Sequence, residues 1–374
     1  MKHTTSYIGT LLALLLCSTA SNADTKNISF DNKDWQVVCD NTLTCRAVGY
    51  IKGEYPEDDS HNISVLLIRH AGNDALIGKV RIPEIDVDEK EVNTPLPDKL
   101  ELWINGISYD WITLDKEEGT GKLTDKQIMA IVSNPQEHKK IEFKAKNYSI
   151  ALSDEGMRSI LIKMDEAQHR VDTASAVVKK GKKTSPTKTY STPLLQDAPI
   201  IGKPEQSIKT DSVEGKRILA LLNQSHIKMD DDYSDESQCD SITADTDPKF
   251  FPTEINVIPL NKESKLIMTS CWQAAYNDGL GAWVMNDQLT KIEQFVSNRF
   301  TGLQGNQLIG AQKGRGIGDC FSGITFTWNG KKFIKTYEYD TGFCRGFPGG
   351  TWQLPSYKMD VASQPNEVEF KGED

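Results

Sequence analysis

The chain has 374 residues, a formal net charge of −10 and 38% hydrophobic residues. That length exceeds a typical single hydrophobic core, so two domains are expected. Acidic balance with scattered Lys and Arg excludes the clustered basic surface that nucleic-acid binding requires.

Lys2 and His3 open a short polar region, Ile8 to Leu16 forms an apolar core, and Ser21-Asn22-Ala23 is a small-x-small cleavage site. This predicts a signal peptide over 1–23 with Asp24 as the mature start, and a periplasmic location. The apolar run is too short for a membrane span, which needs about 20 residues. Cys17 suggests a lipid anchor, but Leu16 stands where lipoprotein signals want a small residue. The other six cysteines, Cys39, Cys45, Cys239, Cys271, Cys320 and Cys344, read as a disulfide framework made in an oxidising compartment. Fifteen pairings are possible, and proximity favours 39–45, 239–271 and 320–344.

The first domain, 24–171, opens with alternating strand text at Trp35 to Cys39, a turn at Asp40-Asn41, and a strand from Thr44 to Tyr50. Ile63 to His70, Ala75 to Ile82 and Leu100 to Ile107 read as further strands. Thr124 and Gln127 form a capping box for a helix near 124–133, stopped by Asn134-Pro135. Lys140 to Leu152 returns to strand, and Ser153 caps a second helix near 154–169 with Met157, Ile160, Leu161 and Met164 on its apolar face. Asp165, Glu166 and Arg170 are expected on the exposed face, with Glu166 and Arg170 paired at i,i+4.

Segment 172–211 is rich in Lys and Pro and predicts an interdomain linker, solvated and open to proteases. The second domain, 212–374, starts with a helix capped by Ser212 that carries Ile218, Leu219, Leu221 and Leu222 inward. Strand text follows at Glu254 to Pro259, Lys265 to Ala275, Ala282 to Met285, Ile324 to Trp328 and Lys332 to Tyr339. Trp328-Asn329-Gly330 signals a two-residue hairpin turn. The predicted class is α+β, mainly antiparallel β, with two β-rich domains and a few peripheral helices.

Catalytic signatures are missing from the text. Gly314 to Gly318 has Asp319 where a dinucleotide fingerprint needs its third glycine, and strand rather than helix text follows. Gly119-Thr120-Gly121-Lys122 is too short for a phosphate loop, and no G-x-S-x-G occurs. His61, His70, His138, His169 and His226 lack metal-ligand spacing. Asp230-Asp231-Asp232 with Asp235 and Glu236 lacks the spaced ligands and glycine of a calcium loop. No metal or cofactor is therefore expected.

The candidate binding surface lies around Cys320 and Cys344. Their bridge brings Arg315 and Asp319 near Arg345, with Trp328 and Trp352 close in sequence and Tyr276-Asn277 as a further element. Two guanidiniums beside aromatics could clamp a carboxylate, phosphate or sugar. The competing reading makes Arg315–Asp319 an internal buttress, places the tryptophans in the core and makes Tyr276-Asn277 a turn.

Several phrases together resemble a family of bacterial secreted proteins known as domain of unknown function 1176. They are Trp35 through Cys39-Asp40-Asn41 to Cys45-Arg46-Ala47 and Tyr50, then Met164-Asp165-Glu166-Ala167-Gln168 with Arg170, Thr173, Ala176 and Gly181. Farther on come Ala275-Tyr276-Asn277, Gly314-Arg315-Gly316-Ile317-Gly318-Asp319-Cys320, and Cys344-Arg345-Gly346 with Trp352. The opening phrase is also faintly similar to the invasion-associated locus B family. The main resemblance implies periplasmic residence and disulfides, with no chemistry. The expected function is a non-catalytic envelope protein that binds a protein or glycan. The alternatives are a periplasmic hydrolase using carboxylates distant in sequence, or a disulfide-stapled inhibitor.

Overall fold

In the computed structural model of the chain, residues 28–53, 62–72, 75–83, 96–133, 138–146, 148–202, 206–224, 239–243 and 252–363 are described. The leader 1–23 with Cys17, His61, Asn134-Pro135, His226 and the acidic run 230–236 lie outside the described residues.

Alternating text builds the opening strands β1 (Ile28–Asn32), β2 (Trp35–Cys39), β3 (Cys45–Tyr50), β4 (Ser64–Arg69) and β5 (Ile77–Arg81), each antiparallel to the next. The chain leaves for β6 (Lys99–Ile104) and β7 (Ile107–Thr113) and returns as β8 (Thr120–Leu123), which pairs with β5 and completes a six-stranded sheet. Helix α1 (Asp125–Val132) starts at the expected capping box, with the Thr124 side chain accepting from the Gln127 amide. The hairpin β9 (Ile141–Ala145) and β10 (Tyr148–Leu152) adds to β6 and β7 in a second sheet, ordered β10-β9-β6-β7.

Helix α2 (Met157–Ala167) is capped by Gly156 at φ 93 rather than by Ser153. A Cβ at Gly156 would collide with the Asn32 carbonyl, so the close approach to β1 sets the residue there. The expected exposure of Asp165 and Arg170 is corrected, because both are fully buried. His169 turns left-handed at φ 56 and the Arg170 amide donates to the Asp165 carbonyl, which rolls Arg170 inward. Asp165 accepts from Arg69 Nη2 at 2.7 Å and from the Val177 and Val178 amides, while Arg170 donates to Gln168 and Ser175. Glu166 pairs with Lys163 at 3.5 Å instead of with Arg170.

The segment after this network runs along the molecule. The Lys183 amide donates to Asp172 O, and β11 (Leu194–Leu195) pairs in parallel with a distant strand, β22 (Asp360–Val361). Then come β12 (Gln206–Lys209) and α3 (Val213–Gln224), whose Gly215 amide is capped by Ser212 Oγ at 3.0 Å. With β12 at one edge, β13 (Glu254–Pro259), β14 (Ser264–Gln273), β15 (Asp278–Asn286) and β16 (Ile292–Phe300) form a five-stranded antiparallel sheet. A last five-stranded sheet takes β17 (Gly302–Gln304), β18 (Gln307–Lys313), β19 (Phe321–Trp328), β20 (Phe333–Asp340) and β21 (Leu354–Lys358). The β19–β20 hairpin is real, but Trp328 pairs with Phe333, so its loop is four residues long. The Asn329 side chain caps that loop by accepting the Lys331 and Lys332 amides.

The fold is thus α+β and mainly antiparallel. One core lies between the first two sheets and both early helices, around Trp35, Leu67, Phe143 and Leu161. The last two sheets enclose another, around Leu266, Val284, Phe300, Trp328 and Phe333. The first sheet is covered on both faces. Val38, Val48, Leu66 and Ile68 on its second face meet Phe347, Trp352 and Leu354, which explains why every residue of β2, β3 and β4 is buried. Among the described residues no helix is long and apolar enough to cross a membrane.

Candidate functional site

The candidate surface is the loop 314–320 that joins β18 to β19, closed by the Lys313–Phe321 pair. Gly314 donates to Cys320 O at 2.9 Å, and a Cβ there would sit 2.5 Å from Cys320 Sγ, so the turn against the bridge demands glycine. The disulfide Cys320–Cys344 ties the loop to the segment after β20, and the Gly349 amide donates to Gly318 O at 2.9 Å. Cys39–Cys45 and Cys239–Cys271 are the other bridges, as expected from proximity.

Arg315 folds back over its own loop. Its Nε donates to Asp319 Oδ1 at 2.7 Å, and its Nη2 donates to the other Asp319 oxygen and, at 2.9 Å, to Cys344 O. Asp319 is 2% exposed and also accepts the Gly346 amide at 2.6 Å. Burial pushes the Asp319 carboxyl up, but the Arg315 guanidinium and the Gly346 amide outweigh it and hold the group below its ordinary value.

Arg345 points the other way, into the first sheet. Its Nη2 meets Asp34 Oδ1 at 3.3 Å, and its guanidinium carbon lies 5.7 Å from the Tyr50 ring and 5.4 Å from the Phe343 ring. Asn62 donates its side-chain amide to the Arg345 carbonyl. The two arginines therefore diverge, each on its own carboxylate. Tyr50 is fully buried, which pushes its hydroxyl up, and it stays neutral while accepting from Gln36 and from the Phe343 amide.

Trp328 is wholly in the core against Phe333, ring centroids 5.1 Å apart. Trp352 is 8% exposed and donates its Nε1 to Ser64 Oγ at 2.9 Å. Asn277 clamps Lys313 by donating to its carbonyl and accepting from its amide, both at 2.9 Å, so the β14–β15 turn braces the loop. Tyr276 stays 47% exposed beside Gly316, and Ile317 at the loop tip is 68% exposed. Ile317 is the residue that sequence reasoning passed over, although an isolated large aliphatic within a glycine run was a legible signal.

Among the described residues, Asp319, Cys320 and Cys344 form the one cluster of possible metal donors. Its two sulfurs are bonded to each other, so they supply no thiolate.

A sequence profile of DUF1176, a protein of unknown function, matches residues 29–358. The chain belongs to the DUF1176 family. It is also similar to the uncharacterised protein YpfG of Escherichia coli strain K12, at 24% identity over 327 residues, covering 80% of this chain and 84% of that one. No solved structure matches. The DUF1176 match spans the braced loop, Arg345 with its neighbours Asp34 and Tyr50, and both cysteines of every bridge.

Proposed function

We propose that this DUF1176 protein is a non-catalytic envelope protein, exported with cleavage near Ala23, that holds a protein partner at the tip of its braced loop. Two β-rich domains, 24–171 and 212–374, with the segment 172–211 between them, complete the reading. Three disulfides support export, because such bridges are rare in a reducing cytosol. The observation that carries the binding role is the arrangement of the loop itself. Its charged side chains Arg315 and Asp319 are turned onto each other and onto the backbone, leaving Ile317 and Tyr276 facing outward. A loop held by a disulfide, an Arg–Asp pair and Asn277 loses little freedom on docking, which favours affinity at a small apolar contact.

The test is a photo-crosslinking amino acid placed at position 317, compared with one at 331 in the β19–β20 loop, in the bacterial periplasm. A partner captured from 317, absent from 331 and lost when Tyr276→Ala is added, is expected. Equal capture from both positions, or none, refutes the assignment.

A further inference from the structure

The outward face of the second sheet carries a different surface. Leu100, Leu102 and Ile104 of β6 and Ile112 of β7 point into the core, so Lys99, Glu101, Trp103 and Trp111 face out. The register sets Glu101 opposite Trp111 on one side and opposite Lys144 of β9 on the other, and sets Trp103 opposite Glu142. Trp111 is 45% exposed. Lys99 Nζ lies 4.4 Å from the Trp111 ring centre, and Lys144 Nζ lies 4.8 Å from that of Trp103. Glu101 accepts from Trp103 Nε1 at 2.9 Å and from Ser108 Oγ at 2.6 Å, which orients its carboxylate between the two rings. Glu142 gathers Lys140 at 2.9 Å and Lys144 at 3.3 Å.

The chemistry of this face selects among occupants. A lipid surface would strip water at once from Glu101, Glu142 and the lysines beside them. The centre of a protein interface is depleted in lysine and glutamate, which are interleaved with the rings here. A sugar ring offers apolar C–H groups on one face and hydroxyls at its rim, matching flat indoles with a carboxylate acceptor fixed between them. Cation–π contacts at exposed positions are weak, so Lys99 can leave its ring on a flexible stem, and Lys144 can turn from Trp103 because Lys140 also holds Glu142. There they meet negative charge on the ligand.

We propose that the Trp103/Trp111 face binds an acidic oligosaccharide, with the rings stacking on sugars, Glu101 accepting from hydroxyls, and Lys99 and Lys144 pairing with the acidic groups. This site is separate from the braced loop and stands whether or not that loop holds a partner.

The experiment titrates the intact protein with a hexasaccharide of uronic acids and with a neutral glucose hexasaccharide, followed by tryptophan fluorescence and calorimetry. Binding of the acidic sugar is expected to weaken about tenfold or more in Trp111→Ala and in the double variant Lys99→Ala/Lys144→Ala, and to weaken as salt rises. The melting temperature of both variants should stay near wild type, because Lys140 still holds Glu142 at 2.9 Å when Lys144 is gone, and Ile317→Asp should bind as wild type does. Failure of the acidic sugar to bind overturns the proposal, as does equal affinity of the wild type and Trp111→Ala. Equal affinity for the neutral sugar overturns its acidic part. Trp111-dependent capture of anionic phospholipid vesicles without sugar binding would make the face a membrane contact instead.

Discussion

Asp165→Asn tests whether the buried network beneath α2 holds the middle of the chain. Arg69 and Asp165 meet at 2.7 Å with both side chains fully buried, and the second Asp165 oxygen takes the Val177 and Val178 amides at 2.9 and 3.1 Å. The substitution keeps the shape but leaves the Arg69 guanidinium buried without its countercharge. Breaking a buried pair from one side costs about 3–5 kcal/mol, because the stranded charge keeps its desolvation penalty. The Asn also turns its side-chain NH2 either toward Arg69 or toward the Val177 and Val178 amides, so one of these sets of donors loses its acceptor. Equilibrium urea unfolding should show this loss, and limited proteolysis should cut faster near 177–178. Lys163→Ala is the control, because its pair with Glu166 is exposed and is worth ~1 kcal/mol or less. If Asp165→Asn costs no more than that control, the network is not what anchors the segment.

The first remaining prediction concerns Arg345→Ala, which should destabilise the protein by roughly 3 kcal/mol in the same assay, since it strands Asp34 at a site where both side chains are 9% exposed. A near-neutral result would free the arginine for ligand contact. The second concerns pH. Burial pushes the Asp340 carboxyl above its ordinary 3.8, against the pull of the Gly342 amide. The folded state therefore holds that proton more tightly than the unfolded chain, and the group's contribution is lost as pH rises from 3.8 through the folded value. Asp340→Asn keeps the oxygen that accepts the Gly342 amide, so it should raise the melting temperature at neutral pH and make no difference below 3.8. Glu155 behaves oppositely. Lys33 and Lys52 lower it from 4.5 to about 2, so it favours folding above 4.5 and ceases to do so as pH falls toward 2. Titration by NMR should move Glu155 back toward 4.5 when both lysines become alanine.

How much was legible depended on the range of each signal. The Thr124–Gln127 capping box spans one helical turn, and its side chains meet as the spacing requires. Strand β2 alternates because residues two apart share a face, and β13 was bounded correctly for the same reason. Strand β16 gives no clear alternation, because in Ile292–Phe300 the polar Gln294 reaches across to the Phe333 backbone of β20 in the last sheet. The failure at Asp165 and Arg170 was of another kind. Asp165 stands four residues after Leu161 on the buried face of α2, where it meets Arg69, and a left-handed residue at His169 ended the helical period just before Arg170.

From the residues alone came the antiparallel class, the covalent pairing of neighbouring cysteines and the position of the capped helix, all of which rest on contacts a few residues long or on the short loops that bridges close. Tertiary structure alone decided that Arg345 reaches Asp34 across 311 residues, that Phe347 and Trp352 cover the first sheet, and that Arg315 turns inward while Ile317 turns out. Such contacts depend on where whole sheets come to lie. A burial pattern fixes only which face of a strand is hidden, leaving open what hides it.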